Sequence, residues 1–306
     1  MSRVSEKDKP EGCCSCADNP RVDLETLSIK IARSENLPVL PQVATAVLRM
    51  AEDPNSSSRN IEKLIERDPA LAAKTLRVAN SSYYGLSNVS TIARAISILG
   101  LNTIRSLVIS VSYQQMLSGR VTAKNFDKFA FWCHSLGVAT ASRIIGKMLL
   151  PEKSEELYIA GMMHDVGFLV LDRFIPDELD EAIRISRDRG VPVHLVEREL
   201  YGYDHGDVGG ILADKWGLPK TLGAAVRCHH DVSADPDMLF TNSIVCVADF
   251  LVHSVGLDNA MPSAEAIDKL AERTLGLPEQ QLKVVSEVTF NEVTRAQSAF
   301  TVPLAA

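Results

Sequence analysis

Apolar residues recur along this chain at intervals of three and four, with no sustained alternation of two, which is the pattern of helices rather than strands. The pattern and its punctuation predict helices over residues 24–34, 42–51, 61–66, 70–80, 93–99 and 103–117. A second series is expected over 128–148, 154–163, 176–189, 193–200, 206–216, 220–229, 238–255, 264–275 and 279–295. Ser58 and Asp68 are placed to cap helices, with Pro69 in the first turn, where its missing N–H is not needed. Pro176, Pro192 and Pro219 stand near helix starts, and Gly190 and Gly217 follow helix ends. No repeat of solenoid period is present. The expectation is an all-α chain of two helical lobes joined near residues 119–125, with a disordered leader over 1–22. The first lobe covers 23–122, the second 123–256, and the last helices 257–306.

Composition narrows the function classes. Asp and Glu (39) outnumber Lys and Arg (32), giving a net charge of -7, so no global field favours nucleic acid. The joint at 97–110 could pass for a DNA-reading helix-turn-helix. Its second helix, however, offers Ile104, Leu107, Val108 and Ile109 with Arg105 as its single strong phosphate or base ligand, so helix packing is expected there. No apolar run approaches the ~20 residues of a membrane span, and the polar start MSRVSEKDKPEG has no apolar signal region; a cytoplasmic location is expected. Cys13, Cys14 and Cys16 cluster in the leader and form too small a set for a complete zinc site. Cys133, Cys228 and Cys246 lie in apolar helical patterns, as buried thiols in a reducing compartment do.

Candidate chemistry is concentrated in the second lobe. GMMHDVG places His164 beside Asp165, a neutral nitrogen next to a carboxylate able to bridge two cations, although an Asp after a His also serves as a simple cap. His134 sits mid-helix in FWCHSLG, as a core histidine would. His205 opens a helix in YGYDHGDVGG, and His229 and His230 end one at RCHHD, where a cation favours the dipole. Asp249 is the sole acid in SIVCVADFLVH, and a carboxylate in an apolar run needs a partner charge or a metal. Each residue alone has an ordinary structural explanation. The set is different, because five of the seven histidines and two aspartates fall in one order within one lobe.

That order resembles the ligand sequence of HD-type phosphohydrolases, particularly the HD-GYP phosphodiesterases. The segments LPVLPQVATAVLRMAED, ERDPALAAKTLRVANSSYYGL, ARAISILGLNTIRSLV and HLVERELYGYDHGDVGGILADKWGLP resemble HDOD domains, so the likeness spans most of 24–255. It implies an N-terminal helical bundle packed on an HD-type helical core. It further implies two divalent transition-metal ions (Fe, Mn, Ni or Zn), with His134, His164 and Asp249 serving one, His205, His229 and His230 the other, and Asp165 bridging as the catalytic carboxylate. The chain departs from active HD-GYP enzymes where Phe168 replaces the lysine of their HD-Ile-Gly-Lys element. The Gly-Tyr-Pro element is missing from DVSADPD, and Ala130 stands where some relatives have a glutamate for a third metal. Arg143, Lys147, Lys215 and Arg227 are the nearest cations in sequence and the candidate phosphate contacts, against the alternative of a solvated helix face. His194 and His253 fall outside the ligand set; His253, one turn after Asp249, is expected at the surface or as support for it.

Two functional readings remain open. One is a metal-dependent phosphohydrolase or phosphodiesterase acting on a nucleotide or cyclic nucleotide. The other is a bacterial signalling output module in which the metal is structural. Expected partners are signalling proteins or a phosphorylated small molecule, with no nucleic acid and no membrane.

Overall fold

The computed structural model describes residues 21–34, 40–51, 57–81, 83–117, 122–259, 261–262 and 264–301. The expected leader, with its three clustered cysteines, lies almost wholly outside these residues. So do most of the LPVLP and DPNSSS turns and part of the expected junction. Among the described residues the fold is all-helical, without strands.

The first helices are α1 (Leu24–Arg33), α2 (Gln42–Ala51), α3 (Ser58–Glu66), α4 (Pro69–Ala79), α5 (Ile92–Leu99) and α6 (Leu101–Leu117). Helices α2 to α6 pack on one another, and Ile104, Leu107, Val108 and Ile109 of α6 are buried. Side-chain caps start several helices, since an oxygen there satisfies N–H groups that have no partner within the helix. Asp68 accepts from Leu71 N at 3.0 Å, with Pro69 next to it. Ser57, rather than Ser58, caps α3, which therefore starts earlier than expected. Helix α1, grouped by sequence order with the first lobe, instead lies on two helices of the second, α9 (Gly167–Phe174) and α12 (His205–Trp216).

The remaining helices are α7 (Lys128–Leu149), α8 (Ser154–Met163), α10 (Pro176–Arg189), α11 (Val193–Tyr201), α13 (Lys220–Cys228), α14 (Leu239–Ser254), α15 (Lys269–Leu275) and α16 (Glu279–Thr301). α7 forms the axis of this lobe, buried without interruption from Phe131 to Arg143, with α8, α14 and α16 packed around it. α12 lies against α13 and α9. Helix α9 has no counterpart in the sequence prediction: Gly167 to Asp172 are all buried, so GFLVLDRF shows no polar face from which a helical period can be read. α15 begins at Lys269, capped by Asp268, rather than at 264.

Two glycines let the helices approach closely enough to bring distant histidines together. A Cβ on Gly161 of α8 would lie 2.7 Å from the Val138 carbonyl oxygen and 2.9 Å from Ala139 N of α7. A Cβ on Gly167 would collide with the His205 carbonyl at the start of α12. Replacing Gly161 by Ala is expected to destabilise the protein by about 1–3 kcal/mol, because backbone rather than a mobile side chain must yield. Thermal unfolding followed by circular dichroism checks this; an unchanged midpoint would show that α7 and α8 can separate freely.

Candidate metal centre

Four imidazoles in this lobe are held by their Nδ1 atoms. His134, midway along α7, has Nδ1 3.1 Å from the Leu257 carbonyl. His164 caps the end of α8 and has Nδ1 2.7 Å from the Gly161 carbonyl. His229 ends α13, with Nδ1 2.9 Å from the Val226 carbonyl. His205 opens α12 with Nδ1 2.7 Å from Oε2 of Glu197, which also accepts from the His205 backbone N–H at 3.0 Å. A carbonyl or carboxylate can only accept, so each of these Nδ1 atoms carries a proton, and in the neutral imidazole each Nε2 presents a lone pair.

Those Nε2 atoms converge on Asp165, which is 3% exposed and therefore has little water to help solvate its charge. One carboxylate oxygen, Oδ1, lies 3.2 Å from His205 Nε2 and 3.4 Å from His229 Nε2. The other, Oδ2, lies 3.3 Å from His164 Nε2 and 3.6 Å from His134 Nε2. Asp249 of α14 reaches the second group, with Oδ1 3.1 Å from His134 Nε2 and 3.8 Å from His164 Nε2. His230 joins the first, its Nε2 2.9 Å from that of His205. The seven residues expected to form the site are thus gathered at one place, in two groups that share Asp165.

The electrostatics favour positive charge at that place. His134 Nε2 and His164 Nε2 are buried with no hydrogen-bond partner, and Asp249 Oδ1 is in the same condition. Burial disfavours ionised Asp165, yet the surrounding imidazoles, His164 foremost, hold its carboxyl well below the usual range. Burial similarly opposes a charged His205, but Glu197 and Asp165 push it well above the ordinary imidazole value. Burial and the neighbouring His229, His194 and His205 keep His230 far below that value, neutral and available as a donor. Nitrogen lone pairs and carboxylates facing one another at these distances are a donor set able to hold a metal ion, since a cation removes their repulsion. Asp165, His205, His229 and His230 can hold one ion, and His134, His164 and Asp165 another.

Residues 37–232 match the family of HDOD domains. The chain belongs to the HDOD family. Its fold is similar to that of an HDOD domain protein of unknown function from Geobacter sulfurreducens. The TM-score is 0.74 at 22% identity, over 92% of this chain and 98% of that one. It is also similar to a candidate phosphohydrolase from Shewanella amazonensis SB2B, with TM-score 0.70 and 23% identity over 90% of this chain and 98% of that one. An uncharacterized protein of Treponema pallidum (strain Nichols) is 26% identical over 230 residues, 71% of this chain; the match spans 43% of the relative's length. No helix among the described residues of this HDOD protein is long and apolar enough to cross a membrane.

The four candidate phosphate ligands do not join the histidine–aspartate cluster. Arg143 is neither at the site nor on a solvated face: it is buried, donates to Tyr83 Oη at 2.8 Å, and pairs with Glu292 of α16. Lys215 caps the last carbonyls of α1. Arg227 pairs with Asp214 at 2.8 Å, and Lys147 is exposed outside the pocket over the cluster. Conversely, the structure reveals residues that the sequence prediction omits. Glu197 orients His205, and Asn259 donates to Asp165 Oδ2 at 3.4 Å. His194 stacks on His230 with ring centroids 3.8 Å apart. Glu197 was detectable, as an acid within the apolar stripe Val193, Val196 and Leu200. Asn259 and His194 carry no such signal. Replacing Glu197 by Gln removes the charge that fixes the His205 tautomer, and is expected to weaken metal binding ~10–100-fold. Titration calorimetry with Mn or Zn measures this; unchanged affinity would show that His205 orients itself without Glu197.

Proposed function

We propose that this HDOD protein binds two divalent transition-metal ions in its second lobe and hydrolyses a phosphoester of a nucleotide or cyclic nucleotide, as a cytoplasmic component of bacterial signalling. The observation that carries this reading is the division of Asp165: each of its oxygens faces a separate group of imidazoles, as a carboxylate bridging two ions requires. Accessibility supports hydrolysis. The cluster lies at the floor of an open cavity of about 260 Å³ walled by Phe168, Val193, His194, Phe250 and Met261. A purely structural site is normally closed, whereas a catalytic one leaves a position for water or substrate.

Bound divalent ions supply Lewis acidity and bring the pKa of coordinated water toward neutrality. The protein's contribution is orientation. The Leu257, Gly161 and Val226 carbonyls and Glu197 hold the imidazoles in one tautomer, and Asn259 helps to fix Asp165. Phe168 stacks on His205 at 3.9 Å and excludes water from that side of the ring.

A second reading rests on a different observation. None of the described residues lining the cavity is Lys or Arg, while Asp249 and Asp268 are among them, so no side-chain cation is placed to hold a phosphate. This wall suits a signalling module that engages protein partners and uses its metal to tie helices together. The readings separate in a turnover assay of the metal-loaded chain against nucleotide and cyclic-nucleotide phosphoesters. Hydrolysis that Asp165→Asn abolishes, with the helical content retained, is the expected result. Full metal loading with no turnover across that panel would leave the module as the function.

A further inference from the structure

Beyond the ligand set implied by the resemblance, a third group of metal-binding side chains adjoins the centre. His134, Asp249 and His253 offer ligand atoms that all lie within 4.8 Å of one another. His253 is one turn beyond Asp249 on α14, an i, i+4 spacing that places both on one helix face, as the paired histidines of helical zinc sites are placed. The sequence suggests a surface or supporting position for it, but only 10% of its side chain is exposed. Its Nε2 is 3.5 Å from Asp249 Oδ1, its ring centroid is 4.6 Å from that of His134, and it lines the same cavity as the metal cluster. His134 Nε2, buried and without a hydrogen-bond partner, faces the same carboxylate oxygen.

We propose that His253 is a ligand of the ion on the His134 side of Asp165. This rests on the reading of the cluster as a two-metal centre. The assignment gives each ion three imidazoles: His134, His164 and His253 on one side, His205, His229 and His230 on the other. Asp249 adds a carboxylate to the first group alone. The centre is therefore asymmetric. The His134 side has five protein donors counting Asp165, and the His205 side has four. A coordination position left for water or substrate would accordingly belong to the His205 side.

The test is a metal titration of the full chain with Co(II), read by calorimetry and by visible absorption, for wild type, His253→Gln and Lys147→Gln. Wild type is expected to bind two ions. In His253→Gln one site should weaken at least about tenfold with an altered absorption band, while the other site keeps its affinity. Lys147→Gln, exposed and outside the cavity over the cluster, should leave both affinities unchanged. Circular dichroism establishes that each variant is folded, and the absorption band reports the coordination of the bound ion. Two ions bound with wild-type affinity and an unchanged band in His253→Gln would overturn this assignment alone. A wild-type chain that binds no metal would overturn the two-metal reading along with it.

Discussion

A hydrogen bond at the back of four of its imidazoles governs the centre. Three of the four anchors are main-chain carbonyls at or just beyond helix C-termini, where the last turn has no intrahelical donor for its oxygens. Gly161 lies in the final turn of α8, Val226 in that of α13, and Leu257 just past α14. His164 and His229 each follow directly on the helix whose free carbonyl they engage. An unsatisfied helix end thus fixes the tautomer of the residue that terminates it, and the opposite nitrogen must point inward. His205 begins a helix instead, where free N–H groups replace free carbonyls, and it takes its anchor from Glu197 on the neighbouring α11.

Because every Nε2 is committed inward, the cluster is unfavourable as a bare arrangement of lone pairs around two carboxylates. It is favourable once a cation lies among them. The surrounding packing is built to maintain it. Gly161 brings α8 onto α7, and Gly167 brings the start of α9 onto the start of α12, so His134, His164 and His205 are fixed by backbone contact rather than by flexible side chains. The rest of the chain supports this lobe from outside. α16 runs along α7 and is joined to it through Glu292 and Arg143, which also meets Tyr83 from the first lobe. α1 lies across α12 and α9, its last carbonyls held by Lys215.

Much of this was legible in the sequence, for identifiable reasons. Helices with one exposed face, such as α10 and α12, declare themselves through their apolar period and through Gly190 and Gly217, both left-handed at the helix ends as anticipated. α9 did not, because burial on every side leaves no polar face to mark its period. The ordered spacing of His134, His164, Asp165, His205, His229, His230 and Asp249 anticipated the cluster. Proximity in sequence was a poor guide to Arg143, Lys147, Lys215 and Arg227, since a helix directs neighbouring residues to different faces. The partners of the ligands were least visible. Main-chain carbonyls carry no residue signature, and Asn259 lies in an irregular segment whose path depends on the completed fold.

The most direct measurement is anomalous scattering from crystals grown with Mn or Zn, recorded at the metal absorption edge. The account predicts two peaks on opposite sides of Asp165, about 3.5–4 Å apart, each surrounded by imidazole nitrogens. A map without peaks in that cluster, with the Nε2 atoms hydrogen-bonded to protein groups or water, would contradict it.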